Sequence, residues 1–338
     1  MDFDLAATLS SGQVFHWQPA GEGFVGMISA LPIYVEQHGD TLRFAGGSPE
    51  LIANYFALDH PLAEICASFP DDPVMRAARN FCTGLRIIRQ PKWECLATFI
   101  CSSMKQVAHI RQISHKLRER FGEPRSIQLS SSVQHADGGS TYKYLLYSFP
   151  TAERIAASSE KGLRECALGY RAKNLLATAH AVASGEADLD AWSALSDAEL
   201  RAQLCALPGV GSKVANCVML FAYERLEAFP IDVWIERVLR EKYFTGKRKV
   251  TSARLREFAG RYFGEHGGYA QQYLFHHARM NSRNGKGNRD GSRSSPARRM
   301  SPIPPPRKGA FPGAKPRKTA KVLNSRQTAF SKIGRPDL

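Results

Sequence analysis

The chain has 338 residues, 43% hydrophobic and 10% aromatic, enough for two or three domains around a sizeable core. No stretch approaches the roughly 18 consecutive apolar residues of a membrane span, and Met1-Asp2-Phe3-Asp4 shows no basic segment leading into an apolar one, so neither a membrane anchor nor a leader is expected. The net charge of +15 is uneven: Asn281 to Leu338 holds 15 Lys/Arg against 2 Asp/Glu, which leaves about +2 for the rest, so the basic balance describes a tail that attracts polyanions and says little about the fold.

From about Phe24 to Ala45 the pattern is β-like. The runs Phe24–Ile28, Ile33–Val35 and Leu42–Phe44 are separated by the turn residues Gly21, Gly23, Pro32 and Gly39-Asp40, as expected for antiparallel strands. Ser48-Pro49-Glu50 then opens a helix, with a Ser cap, Pro at the first position and an acid behind it. Between about Pro91 and Met280 the periodicity is helical. Segments are predicted over Trp93–Ser103, Val107–Phe121, Thr151–Ala157, Leu163–Cys166 and Ala172–Ser184. Others follow over Asp197–Leu207, Ser212–Tyr223, Val233–Tyr243, Ser252–Tyr262 and Tyr269–Met280. No βαβ alternation suggests a doubly wound sheet. After Met280 the chain is rich in Arg, Lys, Pro, Ser and Gly, and Pro304-Pro305-Pro306 forbids a long helix, so this segment is read as disordered.

The expected architecture is therefore α+β in three parts: 1–90 an antiparallel β domain with flanking helices, 91–280 a mostly helical core, and 281–338 a basic disordered tail. The seven cysteines (66, 82, 95, 101, 166, 205, 217) form no CxxC pair and no Cys/His cluster with metal-ligand spacing. They read as buried free thiols of a reducing compartment, which predicts an intracellular protein. Cytoplasm or nucleoid is expected in a bacterium, the nucleus in a eukaryote.

The chemistry concentrates between Leu204 and Ile235. Leu207-Pro208-Gly209-Val210-Gly211 lies between two helical patterns, and two glycines two residues apart allow a tight hairpin and close backbone approach to a ligand. The amides opening the Ser212 helix lack intrahelical partners and suit one DNA phosphate, with Gly209, Gly211 and Val214 as the expected contacts. Glycine also serves ordinary helix–helix turns; the Leu-Pro before it and the helix after it favour DNA binding. Lys213 stands in the first turn of that helix, the unfavourable end for a cation. It is either a solvent-exposed lysine or an amine kept neutral enough to attack carbon. Cys217, four residues on, shares its face and either packs or walls a pocket beside the amine. Asp232 precedes the Val233 helix and by spacing is an N-cap. A capping carboxylate facing an amine across a sugar also suits base excision, stabilising charge at C1′ while the amine takes the carbon.

Gly209-Val210-Gly211-Ser212-Lys213-Val214-Ala215-Asn216-Cys217 and Pro230-Ile231-Asp232-Val233 resemble the 8-oxoguanine DNA glycosylase/AP lyase family, within the helix-hairpin-helix DNA glycosylases. Further matching runs occur in the family's order over most of 1–280: Ser11–Trp17, Tyr55–Asp59, Glu94–Leu96, Phe99–Ser103, Leu168–Ala172 and Ala270–Phe275. The resemblance implies an antiparallel β domain packed on a helix-hairpin-helix core, acting as a monomer on damaged double-stranded DNA. It implies Lys213 as the Schiff-base nucleophile and Asp232 as its electrostatic partner. The carbonyl of Gly12 would accept the N7 hydrogen that oxidised guanine has and guanine lacks. Cys217 and Phe275 would sandwich the flipped base, and Gln271 would read its Watson–Crick edge. Tyr170 would wedge into the stack and Arg171 grip the orphaned partner base. The carbonyls of Cys205, Leu207 and Val210 would hold a structural monovalent or divalent cation, and catalysis would need no cofactor. Taken singly, Tyr170 and Phe275 would be core aromatics and Gly12 a turn glycine.

The sequence departs from the family where asparagine and arginine are expected and Met104 and His109 stand, which predicts weaker discrimination of the opposite base. Trp234 replaces a familiar histidine beside Asp232. An endonuclease III-type enzyme shares the hairpin, but no cysteine follows Cys217 to hold its iron–sulfur cluster. The hairpin and basic tail alone would equally serve a non-catalytic DNA-binding protein; the Lys213/Asp232 pair favours the enzyme.

Overall fold

In the computed structural model, residues 2–130, 141–244, 250–287 and 331–333 are described. Helix α1 (Leu5–Ser10) is capped by Asp4, whose carboxylate accepts from the Ala7 amide. The apolar runs that follow become β1 (Gln18–Ala20), β2 (Gly23–Ile28), β3 (Leu31–His38) and β4 (Thr41–Ala45), an antiparallel meander with Val25 opposite Tyr34 and Val35 opposite Phe44. Ser48 caps α2 (Pro49–Tyr55) through the Leu51 amide, as its sequence predicts. Helices α3 (Leu62–Ala67) and α4 (Pro73–Phe81) complete this part. One face of the sheet, with Ile33, Val35, Leu42 and Phe44, packs on Ile52, Tyr55, Phe56 and Ile88.

The opposite face is also covered. After α5 (Lys92–Ser102) and α6 (Val107–Phe121), the chain forms a hairpin of β5 (Pro124–Ser130) and β6 (Thr141–Tyr147). Ile127, Leu129 and Leu146 of this hairpin pack on Val25, Met27, Tyr34 and Ala45. Sequence periodicity predicted only helices in this region. The alternation in Thr141–Tyr147 fits a strand, but its buried face is meaningful only against a sheet about 100 residues earlier in the chain.

The remaining helices are α7 (Ala152–Ala156), α8 (Glu160–Leu163), α9 (Arg171–Ala183), α10 (Asp197–Ala206), α11 (Ser212–Ala222), α12 (Val233–Val238), α13 (Ser252–Phe263) and α14 (Gly267–Gly287). Ser196 and Glu199 form a reciprocal capping box at the start of α10. Wide-turn segments continue α8 (Arg164–Leu168) and α12 (Leu239–Tyr243). The buried faces of α5, α9, α11 and α14 meet in one large core, which includes Leu96, Ile100, Leu175, Val218, Leu220 and Tyr273. Phe15 belongs to this helical core, whereas its neighbours Val14 and Trp17 belong to the sheet's, so the Gly12–Trp17 segment is keyed into both. Between the two cores lies a buried polar cluster: His16 Nδ1 is 3.4 Å from Glu94 Oε1, burial lowers the His16 pKa, and Arg118 donates to the same carboxylate. Burial raises the Glu94 pKa, and only the Arg118 charge and hydrogen bond oppose that rise.

The basic tail read as disordered lies mostly outside the described residues. Its first seven residues instead continue α14 to Gly287, and Ser331–Ile333 forms β7, antiparallel to β4 with Leu42 opposite Ile333. The sheet order is therefore β1-β2-β3-β4-β7. No helix among the described residues is long and apolar enough to cross a membrane.

Candidate active site

The turn between α10 and α11 is the expected hairpin. Gly209 has φ +81°, and a Cβ there would stand 2.8 Å from Asn174 Cβ, so its glycine is required by both strain and packing. Thr178 on α9 fastens the turn by donating to the Pro208 carbonyl at 3.0 Å. A Cβ at Gly211 would meet nothing within 4 Å, so that glycine faces open space. Gly211 caps α11 without a side-chain bond, and the first intrahelical amide is that of Ala215, to the Gly211 carbonyl. The amides of Ser212, Lys213 and Val214 thus face outward as a ready anion cradle.

Lys213 is not free in solvent. Its Nζ donates to Ser102 Oγ at 3.2 Å and lies 5.1 Å from the centroid of Phe99. The sequence pattern predicts no role for Phe99 or Ser102, although both lie in the family-like run Phe99–Ser103. Ser102 in turn donates to the Phe99 carbonyl at 2.7 Å, so the end of α5 forms a small floor under the amine. Cys217 is 4% exposed, and burial pushes its thiol up to about 11, with the Lys213 charge opposing. It is therefore a neutral apolar wall at working pH.

Asp232 is the N-cap of α12, accepting from the amides of Trp234 at 3.0 Å and Ile235 at 2.9 Å. Burial raises its pKa; the Ile235 bond, the Lys213 charge and the Trp234 bond oppose this. The cap and the carboxylate electrostatically coupled to Lys213 are one side chain, so the two sequence readings do not exclude each other. A cavity of about 220 Å³ opens beside Lys213, lined also by Ser212, Asn216, Glu236, Ser252 and Arg256. A larger one of about 580 Å³ lies at the other end of α5, around Gln90–Trp93. The site is placed by the amine, not by volume.

Of the base-reading candidates, Gly12 near the start of the chain meets Phe275 on α14. Gly12 has φ +94°, and a Cβ there would stand 3.1 Å from Phe275 Cε1 and 2.9 Å from Arg279 Nη1. A residue at position 12 and a ring at 275 are thus in contact. Gln271 is 4% exposed, and its Oε1 has no hydrogen-bond partner among the described residues. Such a buried acceptor costs about 1–3 kcal/mol unless something donates to it.

Tyr170 stands at the start of α9, 61% exposed. The turn before it holds Ala167 at φ +65° and Gly169 at φ +60°, a tight bend that pushes the ring outward. Arg171 behaves differently from the expectation of a side chain reaching for DNA. It is 5% exposed; its Nε donates to the Ser103 carbonyl at 2.7 Å, its Nη2 to the same oxygen, and its guanidinium stacks 4.4 Å from the Tyr170 centroid. Gripping a partner base requires exchanging these bonds. Met104 is 86% exposed at φ +54°, and His109 is also exposed.

The carbonyls of Cys205, Leu207 and Val210 belong to the end of α10 and the hairpin; that of Leu207 already accepts the Val210 amide at 3.1 Å. Oxygens at a helix end without intrahelical partners are hard donors, so the set fits an alkali or alkaline-earth cation. No group of three or more His, Cys, Asp or Glu suited to a metal occurs among the described residues.

An outward hairpin cradle followed by a lysine coupled to a helix-capping aspartate defines a helix-hairpin-helix DNA glycosylase. Residues 97–261 match the HhH-GPD superfamily of base excision DNA repair proteins, and residues 1–96 match the 8-oxoguanine DNA glycosylase N-terminal domain. The chain is 30% identical to the N-glycosylase/DNA lyase of Saccharomyces cerevisiae over 270 residues, 71% of this chain and 68% of that protein. It is 28% identical to N-glycosylase/DNA lyase OGG1 of Arabidopsis thaliana, over 81% of this chain and 77% of the relative. Among solved structures, MBOgg1 bound to a low-affinity DNA ligand is 32% identical, with TM-score 0.74 over 83% of this chain and 93% of that one. The Clostridium acetobutylicum 8-oxoguanine glycosylase/lyase, bound to double-stranded DNA with cytosine opposite 8-oxoguanine, is 29% identical, with TM-score 0.73 over the same shares. The chain belongs to the 8-oxoguanine DNA glycosylase/lyase family.

Proposed function

We propose that this protein flips 8-oxoguanine out of duplex DNA, excises it and cleaves the resulting abasic site. The Lys213 amine attacks C1′, the glycosidic bond breaks, and the base leaves with the bonding electrons and takes up a proton. The amine then loses a proton, and the C1′–O4′ bond breaks to open the sugar ring as the C1′=N Schiff base forms, with O4′ taking up a proton. Loss of a C2′ proton then expels the 3′ phosphate by β-elimination, and water releases the sugar fragment from the lysine. The carboxylate of Asp232 stabilises the positive charge that develops on the sugar.

A base inside the helix is out of reach, so extrusion costs a few kcal/mol and its lost stacking has to be replaced. Tyr170 fills the vacated stack, while Cys217 and Phe275 take the two faces of the base. The buried Gln271 Oε1 accepts from its Watson–Crick edge, and the Gly12 carbonyl accepts the N7 hydrogen of the oxidised base. Guanine would set a lone pair against that carbonyl, a penalty of about 1–3 kcal/mol. The hairpin amides at Gly209, Gly211 and Val214 hold one phosphate. Cys205, Leu207 and Val210 would hold a cation that screens it. Arg171 reads the partner base once released from Ser103. The protein acts as a monomer, and its basic tail adds salt-sensitive, sequence-independent affinity.

The observation that carries this reading is Lys213 Nζ held on Ser102 and over Phe99 with Asp232 and Cys217 beside it. Borohydride trapping on an 8-oxoguanine duplex tests it: wild type forms a covalent adduct, Lys213→Gln does not. A duplex bound tightly by wild type but left uncut and untrapped would instead support a non-catalytic DNA-binding protein.

A further inference from the structure

If one carbonyl separates oxidised from normal guanine, its position relative to the stacked base has to be fixed, because a hydrogen bond weakens steeply when displaced. The loop that carries Gly12 is held unusually well. The Thr8 carbonyl accepts from Ser11 Oγ at 2.8 Å and Gln13 Nε2 at 3.2 Å. The Gln13 carbonyl accepts from Gln90 Nε2 at 2.8 Å, and the Ser11 carbonyl from Gln272 Nε2 at 3.3 Å. The Ser10 carbonyl accepts from Arg279 Nη2. The Gly12 carbonyl, in the middle of this set, accepts no hydrogen bond from the described residues.

Two of these anchors come from one helix. Gln272 and Arg279 lie seven residues apart on α14, two turns along one face, with Phe275 between them. Both side chains are buried, 3% and 6% exposed. The Arg279 guanidinium also packs 5.5 Å from the Phe275 centroid, touching at once the loop backbone and the ring. His276 Nδ1 lies 3.3 Å from the same Nη2, and burial, then the Arg279 charge, pushes this histidine down to about 4. It is therefore a neutral acceptor for the guanidinium at working pH and adds no competing cation.

We propose that Gln272 and Arg279 are positioning residues for lesion discrimination, clamping the Ser10–Gly12 loop to the helix that carries Phe275 and Gln271. The acceptor that reads N7 and the ring that stacks on the base are then parts of one rigid unit. The inference rests on the base-reading role proposed above for Gly12 and Phe275. Neither clamp residue touches the sugar or Lys213 in this arrangement, so the clamp acts on base recognition and leaves the lyase chemistry alone.

The test compares Arg279→Met and Gln272→Leu with wild type on two substrates under single turnover: an 8-oxoguanine duplex and a duplex with a preformed abasic site. Losing one hydrogen bond to the loop is expected to slow 8-oxoguanine excision by about tenfold. Cleavage of the abasic duplex, which presents no base, stays at the wild-type rate and shows that the variants are folded. The preference in binding for 8-oxoguanine over guanine duplex narrows, and Arg279→Lys, which keeps a cation and a donor, recovers part of the excision rate. Wild-type excision by both variants overturns the clamp; so does an equal loss on both substrates, which would mean the pair only supports the fold. Phe275→Ala, run alongside, separates the two ideas. If it also excises normally, the base-reading role itself is wrong. If it alone fails, only the clamp is wrong.

Discussion

Asp232 joins a structural and a chemical role in one side chain, and two substitutions separate them. Asp232→Ala removes both cap bonds, to the Trp234 and Ile235 amides. Loss of an N-cap costs about 1 kcal/mol, within a range of 0.5–2, and about 1 kcal/mol lowers the melting temperature of a protein this size by about 2–4 °C. Asp232→Asn keeps an equally good cap and removes the desolvated charge. Burial raises the folded-state pKa of Asp232, so its favourable contribution is complete below the unfolded value and is lost as pH rises through the folded one. The Asn variant should therefore gain on wild type with rising pH, and the gap should close in acid. Both variants remove the charge that stabilises the sugar, and losses of about 10²–10³-fold in excision are typical for such a group. Thermal melts from pH 4 to 8, with single-turnover excision on the same samples, measure both effects. An Asn variant that excises at the wild-type rate would refute the chemical role; an Ala variant as stable as wild type would refute the cap.

Three further outcomes follow from the same structure. With Met104 and His109 in place of base-reading groups, and each bidentate base contact worth about 1–3 kcal/mol, excision opposite cytosine and adenine should differ modestly. Combining Met104→Asn with His109→Arg should widen the gap, and a wild-type preference of several orders of magnitude would contradict this. Arg118→Met strands the buried Glu94 without its counter-charge and should cost about 3–5 kcal/mol in urea denaturation. The loss should be largest at neutral pH and smaller where Glu94 is protonated. Replacing the lysines and arginines between residues 288 and 330 by glutamine, which keeps β7, should flatten the salt dependence of duplex binding while leaving single-turnover excision intact; an unchanged salt slope would remove the tail from DNA binding.

The sequence by itself determined what depends on neighbours along the chain. The hairpin glycines, the lysine in the first turn of α11, the Ser48 and Asp232 caps and most helix spans follow from periodicity and end signals that act within a few residues. The ordered runs shared with a known family extended this to the class of reaction. Tertiary structure decided whatever depends on which distant surfaces meet. Only packing brings Gly12 against Phe275, places Lys213 over Phe99 and Ser102, and turns Arg171 inward onto Ser103. The β5–β6 hairpin was missed for the same reason: its strands have a buried face only because an exposed side of the N-terminal sheet needs covering. Gln272 and Arg279 carried no signal in their own stretch of chain. Their partners, the carbonyls of Ser11 and Ser10, lie at the other end of the sequence and belong to the backbone, which no residue pattern announces.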